Sequence, residues 1–295
     1  FSILSFFSFV LAIIPFSWQA EAWNTGVFLY MAWTAVQSLN VFINSVLWRN
    51  NAINWSPVWC DISTRIYIGT NVAIPLVSFC INRTLNQIIT RPLSISKDTK
   101  KRRLLIDLAI GLGLPILEIV LSYIVQGHRF DILEEIGCWP AIYNTPPTFA
   151  LVYCWPLVIS TLTSVYSVLT VRALLKSRSK TLGQYTVLSR HRLSRLLALA
   201  SLEAIVGLPV SAYFLSINAD EINPWVSWSD THFNFSRLGQ IPSLLWRSDS
   251  RAVLAIELSR WNIIICSFLF FAFFGLAEEA IARYRDAFRY ILSRL

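Results

Sequence analysis

The chain has 295 residues, 55% of them hydrophobic and 14% charged, with 25 Lys and Arg against 17 Asp and Glu for a formal charge of +8. A soluble domain carries about 25% charged residues, so this balance excludes that class and indicates a polytopic membrane protein. The excess of positive charge does not argue for nucleic acid. All the lysines (Lys97, Lys100, Lys101, Lys176 and Lys180) fall in two short connections between apolar runs, as cytoplasmic loops do under the positive-inside rule.

The first apolar run is 1–16. It opens without a methionine, so a trimmed N-terminus is expected. Ala20-Glu21-Ala22 has the form of a signal-peptidase site, but no basic residue precedes Arg49, and the run is read as a retained span. The second span, 26–47, carries Asn40 and Asn44 four residues apart, which puts both amides on one face, turned into a helix bundle where they find partners. After a short outer loop, 59–91 forms the third span, around which the others are expected to arrange themselves. Its middle, 66–81, is largely apolar and at ~1.5 Å per residue covers most of a hydrocarbon core about 30 Å thick. Its outer end holds Cys60, Asp61 and Arg65, and its inner end Arg83.

Residues 91–103 hold six basic residues against one acid and lead to a fourth span, 104–126, where Gly111, Gly113 and Pro115 predict a kink. The outer connection 127–147 has one arginine and three acids. A fifth span, 148–175, is followed by 172–195, with seven basic residues and no acid. The sixth span, 196–217, carries Glu203, Gly207 and Pro209, the last a candidate hinge. A long polar segment rich in Trp and acids, 218–256, precedes the seventh span, 256–277. Seven crossings with the basic loops inside put the N-terminus outside and the C-terminus in the cytoplasm.

The expected fold is therefore an all-α membrane protein, a seven-transmembrane helix bundle over 1–277. In 278–295, Ile281, Tyr284, Phe288, Ile291 and Leu295 recur at helical spacing with Arg283, Arg285, Arg289 and Arg294 between them, which predicts a short amphipathic cytoplasmic helix on the inner leaflet.

Enzyme chemistry finds little support. His128, His191 and His232 lie in three loops on opposite sides, there is no phosphate-binding glycine loop, and no metal or other cofactor is called for. A retinal protein needs a lysine in a late span, and none is there. Of five cysteines, only Cys60 and Cys138 fall at outer membrane ends, and a disulfide between them is the expectation. Asn54 and Asn234 stand in sequons on outer loops and are candidate glycosylation sites; Asn82 matches too but faces inward. Charges inside spans carry the most information, since each costs roughly 2.5–3.5 kcal/mol near a helix centre. Asp61 with Arg65, and Glu257 with Arg260, are spaced to neutralise each other or to serve a ligand. Both roles stand open. Glu118 and Glu203 have no partner on their own helices. Arg83 either snorkels to the interface or meets a cytoplasmic partner.

Asn44-Ser45-Val46-Leu47-Trp48-Arg49, Ala52-Ile53-Asn54-Trp55, Pro57-Val58-Trp59-Cys60-Asp61-Ile62 and Thr64-Arg65 together resemble the fungal mating receptors for lipid-modified, a-factor-type pheromones, which are class D G-protein-coupled receptors. The likeness continues through Cys80-Ile81-Asn82-Arg83, Tyr123-Ile124-Val125-Gln126-Gly127-His128-Arg129-Phe130, Gly137-Cys138-Trp139-Pro140 and Phe235-Ser236-Arg237. Thr84 departs from it, where many relatives carry a second basic residue. The family's long cytoplasmic tail has no counterpart within 278–295.

The resemblance implies a plasma-membrane receptor that binds a farnesylated peptide pheromone outside and activates a heterotrimeric G protein inside. A homodimer is left open. The candidate ligand-binding residues are Asp61, Arg65, Glu118, Tyr123, Glu257 and Arg260. The candidate G-protein contacts are Arg83, Lys176, Arg178, Arg190 and Arg192, for whose loop members attraction to anionic membrane lipid is the competing role. The rival function is a polytopic membrane transporter with a solute path along the buried charges; a membrane scaffold without signalling ranks behind it.

Overall fold

The computed structural model describes residues 1–16, 25–90, 97–177, 190–220, 222–276, 280–282, 284–286 and 289. Ala20-Glu21-Ala22, Arg91, Arg178, Lys180 and most of the segment expected as an amphipathic tail lie outside them, as do the side chains of Lys97, Arg190, Arg192 and Glu203. Residues 280–282, 284–286 and 289 are helical.

The first three rods are α1 (Ser2–Ile13), α2 (Thr25–Leu47) and α3 (Pro57–Thr90). The fourth is α4 (Lys97–Leu108), which passes through a π-helical turn, Ala109–Gly113, into α5 (Leu114–Ser122). Two strands follow, β1 (Phe130–Leu133) and β2 (Gly137–Trp139). The fifth rod joins α6 (Pro146–Thr148), a π turn, Phe149–Tyr153, and α7 (Cys154–Ser177). The sixth joins α8 (Arg190–Leu202), a π turn, Glu203–Gly207, and α9 (Leu208–Asn218). Beyond it come α10 (Trp228–Thr231), β3 (Leu238–Ile241), α11 (Ser243–Trp246) and the seventh rod, α12 (Ser250–Phe274).

Among the described residues, five helices are long and apolar enough to cross a membrane: Thr25–Leu47, Pro57–Gln87, Lys100–Val125, Pro146–Ala173 and Ser250–Phe274. The shorter apolar helices Ser2–Ile13 and Ile205–Asn218 complete a bundle of seven rods. The central place expected for the third span is what the packing gives it. α3 lies against α2, α5, α7 and α8, and 72% of its apolar window is buried against 22% for each of the fourth and fifth rods. The main core gathers Met31 of α2, Val77, Ile81 and Leu85 of α3, Leu196 of α8 and Phe270 of α12.

Proline accounts for the wide turns. A proline inside a helix has no N–H to give and crowds the carbonyl four residues back, and each π turn lies just before one: Pro115, Pro156 or Pro209. Pro115 leaves the carbonyl of Gly111 without its usual donor, and Trp33 Nε1 of α2 donates to that oxygen at 2.9 Å. The kink expected near Gly111 is thus a π turn braced by a neighbouring helix.

The buried amides of α2 do face inward. Asn40 Nδ2 donates to the Ser63 carbonyl at 3.2 Å, and Asn44 Nδ2 to Ser63 Oγ at 2.8 Å, while Trp59 Nε1 donates to Asn44 Oδ1 at 2.7 Å. These bonds fix the register of α2 on α3.

The outer connections are more ordered than loops. They form one sheet in the order β2-β1-β3, with β1 antiparallel to β2 and parallel to β3. A disulfide joins Cys60 at the top of α3 to Cys138 in β2. Gly137 sits at φ +96°, where an L side chain is strained, and a Cβ there would come within 2.5 Å of Asn44 Cβ.

Candidate ligand cavity and inner face

A cavity of about 620 Å³ lies between the second to seventh rods, within the ~300–1,000 Å³ range of small-molecule pockets. Trp139, Pro140 and Tyr143 of the outer connection roof it, and Tyr30, Leu199 and Leu269 line its deep end. Tyr67, Asn71 and Glu118 supply a polar wall from α3 and α5, joined by Ser259 and Asn262 of α12. Glu118 is 4% exposed, and its Oε1 has no hydrogen-bond partner. A buried carboxyl oxygen left this way costs about 1–3 kcal/mol or more, so a donor on a ligand is rewarded there.

Of the six residues singled out as ligand contacts, Glu118 alone lines this cavity. The spacing suggested Asp61 with Arg65, but each is bonded across the outer face instead. Arg129 donates from Nε and Nη2 to the two oxygens of Asp61 at 2.9 and 2.5 Å, and Arg65 Nη2 donates to Gln126 Oε1 at 2.5 Å. The hydrogen bonds from Arg129 to Asp61 raise the arginine's pKa above its usual value. Gln126 Nε2 in turn donates to the carbonyls of His128 and Arg129 at 3.0 and 2.7 Å. Asp61 and Arg65 thereby hold the turn that leads into the roof.

Tyr123 is half-exposed and packs with Trp228, His232 and Phe235 at centroid distances of 6.1, 5.4 and 5.5 Å. Glu257 and Arg260 pair at 3.0 Å as the spacing suggested, and Arg260 sits 3.9 Å over the Phe1 ring beside a separate cleft of about 310 Å³. Asn234 is exposed at φ +49°, while Asn54 is half-buried with its Oδ1 enclosed and unpartnered.

The roof is pinned to α11 through Glu134. Its Oε2 accepts from the Ser243 N–H at 2.7 Å, its carbonyl accepts from Trp246 Nε1 at 3.0 Å, and the Ser243 bond holds the carboxyl below its ordinary pKa. Arg247 pairs with Glu135, and Arg251 with Asp220.

At the other end, Arg83 Nη2 donates to Asp107 Oδ1 at 2.7 Å, joining α3 to α4 with the aspartate 2% exposed. Arg83 therefore neither snorkels freely nor stands open to a partner in this arrangement. Arg195 Nη1 donates to the Phe273 carbonyl at 3.4 Å, linking the sixth and seventh rods, and Lys176 is exposed at the end of α7. Of the other candidate contacts, Arg178 lies outside the described residues, and of Arg190 and Arg192 only the backbone, in α8, is described.

Sequence reasoning did not single out Asp107, Gln126 or Glu134. Gln126 and Arg129 stood inside the fragment Tyr123–Phe130 on which the resemblance rested, a signal that marks the segment but not its bonds. Asp107 pairs across 24 positions and two helices, a spacing that no local pattern reveals.

The family described as Pheromone A receptor, STE3, matches residues 1–293. The Pheromone B alpha 1 receptor of Schizophyllum commune is 43% identical over 293 residues, covering 97% of this chain and 46% of that protein. Pheromone receptor 1 of Mycosarcoma maydis is 30% identical over 301 residues, covering 98% and 82%, and the Pheromone a factor receptor of Saccharomyces cerevisiae is 22% identical over 294 residues, covering 96% and 60%. The chain spans about half the length of the Schizophyllum relatives it matches.

Proposed function

The chain belongs to the Pheromone A receptor (STE3) family, and from that premise we propose that it binds a farnesylated peptide pheromone from outside the cell and activates a heterotrimeric G protein within. The observation that carries this reading is the cavity of about 620 Å³ beneath the outer sheet, with an unpartnered buried carboxyl oxygen on Glu118. The peptide lies against the polar wall of Tyr67, Asn71 and Glu118. The protein sits in the plasma membrane with its N-terminus outside and the lysine-bearing connections inside.

Pheromone shifts the bundle only to the extent that it binds one arrangement better than another. The sixth rod is the element best built to move. Its outer half, α9, is set off from α8 by the Glu203–Gly207 turn and Pro209. In the active arrangement Arg83 leaves Asp107 and joins Lys176, Arg178, Arg190 and Arg192 in meeting the G protein. Asp61, Arg65 and Tyr123 position the roof and the outer turn over the ligand, and Glu257 holds Arg260.

The test is expression of the full-length receptor in a mating-reporter cell that lacks its own, with a panel of farnesylated peptides applied outside. A saturable, G-protein-dependent response to one or more is expected. Silence toward all of them at normal surface abundance counts against the reading.

A further inference from the structure

The walls of the cavity are unlike one another. Most polar groups come from α3, α5 and α12, while the sixth rod contributes Val206, Val210, Phe214 and Leu215, with Ser211 and, at its outer end, Asn218. The packing is uneven as well. α9 lies on α7, whereas α12 packs on the inner half of the sixth rod, α8, so the outer halves of the sixth and seventh rods are only loosely packed together below the exposed Asp220–Arg251 pair at their ends. Val206 on one side of this gap is 42% exposed and Ile265 on the other 50% exposed, and both line the cavity.

Ile265 lies inside the apolar helix Ser250–Phe274 and Val206 at the inner end of Ile205–Asn218, in the π turn below α9, so that with these helices in a bilayer the cavity and the hydrocarbon meet across them. An apolar edge is what such a gap requires, since a polar group there would face lipid with no partner. A peptide alone gains nothing from such an edge. A peptide carrying a hydrocarbon chain gains by laying its polar part on the wall of Tyr67, Asn71 and Glu118 and its chain in the gap, at about 25 cal/mol for each Å² of apolar surface kept from water.

We propose that the gap between the outer part of the sixth rod, from the Glu203–Gly207 turn upward, and α12 is a lateral slot in which the ligand's hydrocarbon chain runs from the cavity toward the bilayer, with Val206 of that turn and Ile265 as its two edges. This rests on the reading of the chain as a lipopeptide receptor. The lipid is then a part of the ligand read from the side of the bundle, while the peptide is read from above.

The probe is S-farnesylcysteine methyl ester bearing a diazirine at the far end of its isoprenoid chain, applied to the full-length receptor in phosphatidylcholine nanodiscs. Cross-links mapped by mass spectrometry are expected within 206–214 and 262–269. Val206→Trp and Ile265→Trp, which fill the slot, lower labelling roughly tenfold, and Ile265→Val retains it. Cross-links confined to other helices overturn the proposal, as does undiminished labelling in both tryptophan variants at equal amounts of folded receptor. If those variants do not reach the membrane, the cross-link map of the unaltered receptor decides by itself. Labelling of the slot in a receptor whose reporter stays silent to every lipopeptide removes the signalling reading and leaves the slot. A normal reporter response with no label in α9 or α12 removes the slot and leaves the signalling reading.

Discussion

At the outer face a disulfide, a three-stranded sheet and the ion pairs Asp61–Arg129, Glu135–Arg247 and Asp220–Arg251 tie the connections to the helices beneath them. At the inner face the described residues join α3 to α4 through one buried pair, Arg83–Asp107, and the sixth rod to the seventh through Arg195 and a carbonyl. One end is fastened covalently and at many points. Among the described residues the other is held by the apolar core around Leu85, Leu196 and Phe274 and by a few polar contacts. Under the proposed function, this division keeps the ligand chamber in shape while the opposite end changes arrangement.

The sharpest way to break the contrast is at the inner pair. Asp107→Ala leaves Arg83 charged and without its partner, at a cost of about 3–5 kcal/mol. A large drop in thermal stability of the solubilised receptor is expected, and Arg83→Gln with Asp107→Asn together should recover most of it. A double-mutant cycle measures the coupling, and strict additivity would show that the pair does not bind α3 to α4.

Next comes the disulfide, which closes a separation of 78 residues. Cys60→Ser, Cys138→Ser and the double variant should each lose the same amount, about 2–5 kcal/mol, read as surface abundance and melting temperature. Additive losses would mean that the two thiols act separately.

A smaller effect is expected inside the chamber. Glu118→Ala should raise the half-maximal lipopeptide concentration roughly tenfold or more at unchanged surface abundance. Arg65→Ala should move it less, through the turn at Gln126, and an equal shift in both would place Arg65 in direct contact with ligand.

The smallest effect concerns acid. The Glu134 carboxyl has a lowered pKa in the folded protein, so its contribution is present above the unfolded value of about 4.3 and is lost as pH falls through the folded value. Protection of the α11 amides, taken relative to the intrinsic exchange rate at each pH, should fall as pH drops below that unfolded value, and this fall should be absent in Glu134→Gln. Protection that does not change with pH in the unaltered receptor would show that the Ser243 bond does not hold α11.

Much of the architecture was legible because membrane helices advertise themselves. Apolar runs marked where the rods lie, Pro115, Pro156 and Pro209 marked the interrupted ones although Pro75 leaves α3 unbroken, and two cysteines at outer ends gave the bridge. Asn40 and Asn44 declared their inward face by spacing. The outer sheet was not legible, because β1 and β3 are four-residue strands more than a hundred positions apart that pair through backbone. Spacing left mutual pairing and a ligand role open for both charge couples. Glu257 and Arg260, helical neighbours, do pair, whereas Asp61 is taken by Arg129, which comes from another element and offers two donors to the carboxylate, a stronger geometry than one turn of helix provides. The cavity itself, a property of how rods splay, leaves no mark in any one segment.

The π turns carry a further consequence. An α-helix advances about 100° with every residue, and a π turn accommodates one residue beyond the regular winding. Each such turn therefore stores a step of torsional phase. Removing a single residue from Ala109–Gly113 or Glu203–Gly207 would let the rod wind regularly and swing everything above it by about that angle. Glu118 would then point away from the chamber, and the apolar flank of α9 would exchange places with its neighbour. The chamber's chemistry is thus set as much by two surplus residues low in its walls as by the side chains that face into it.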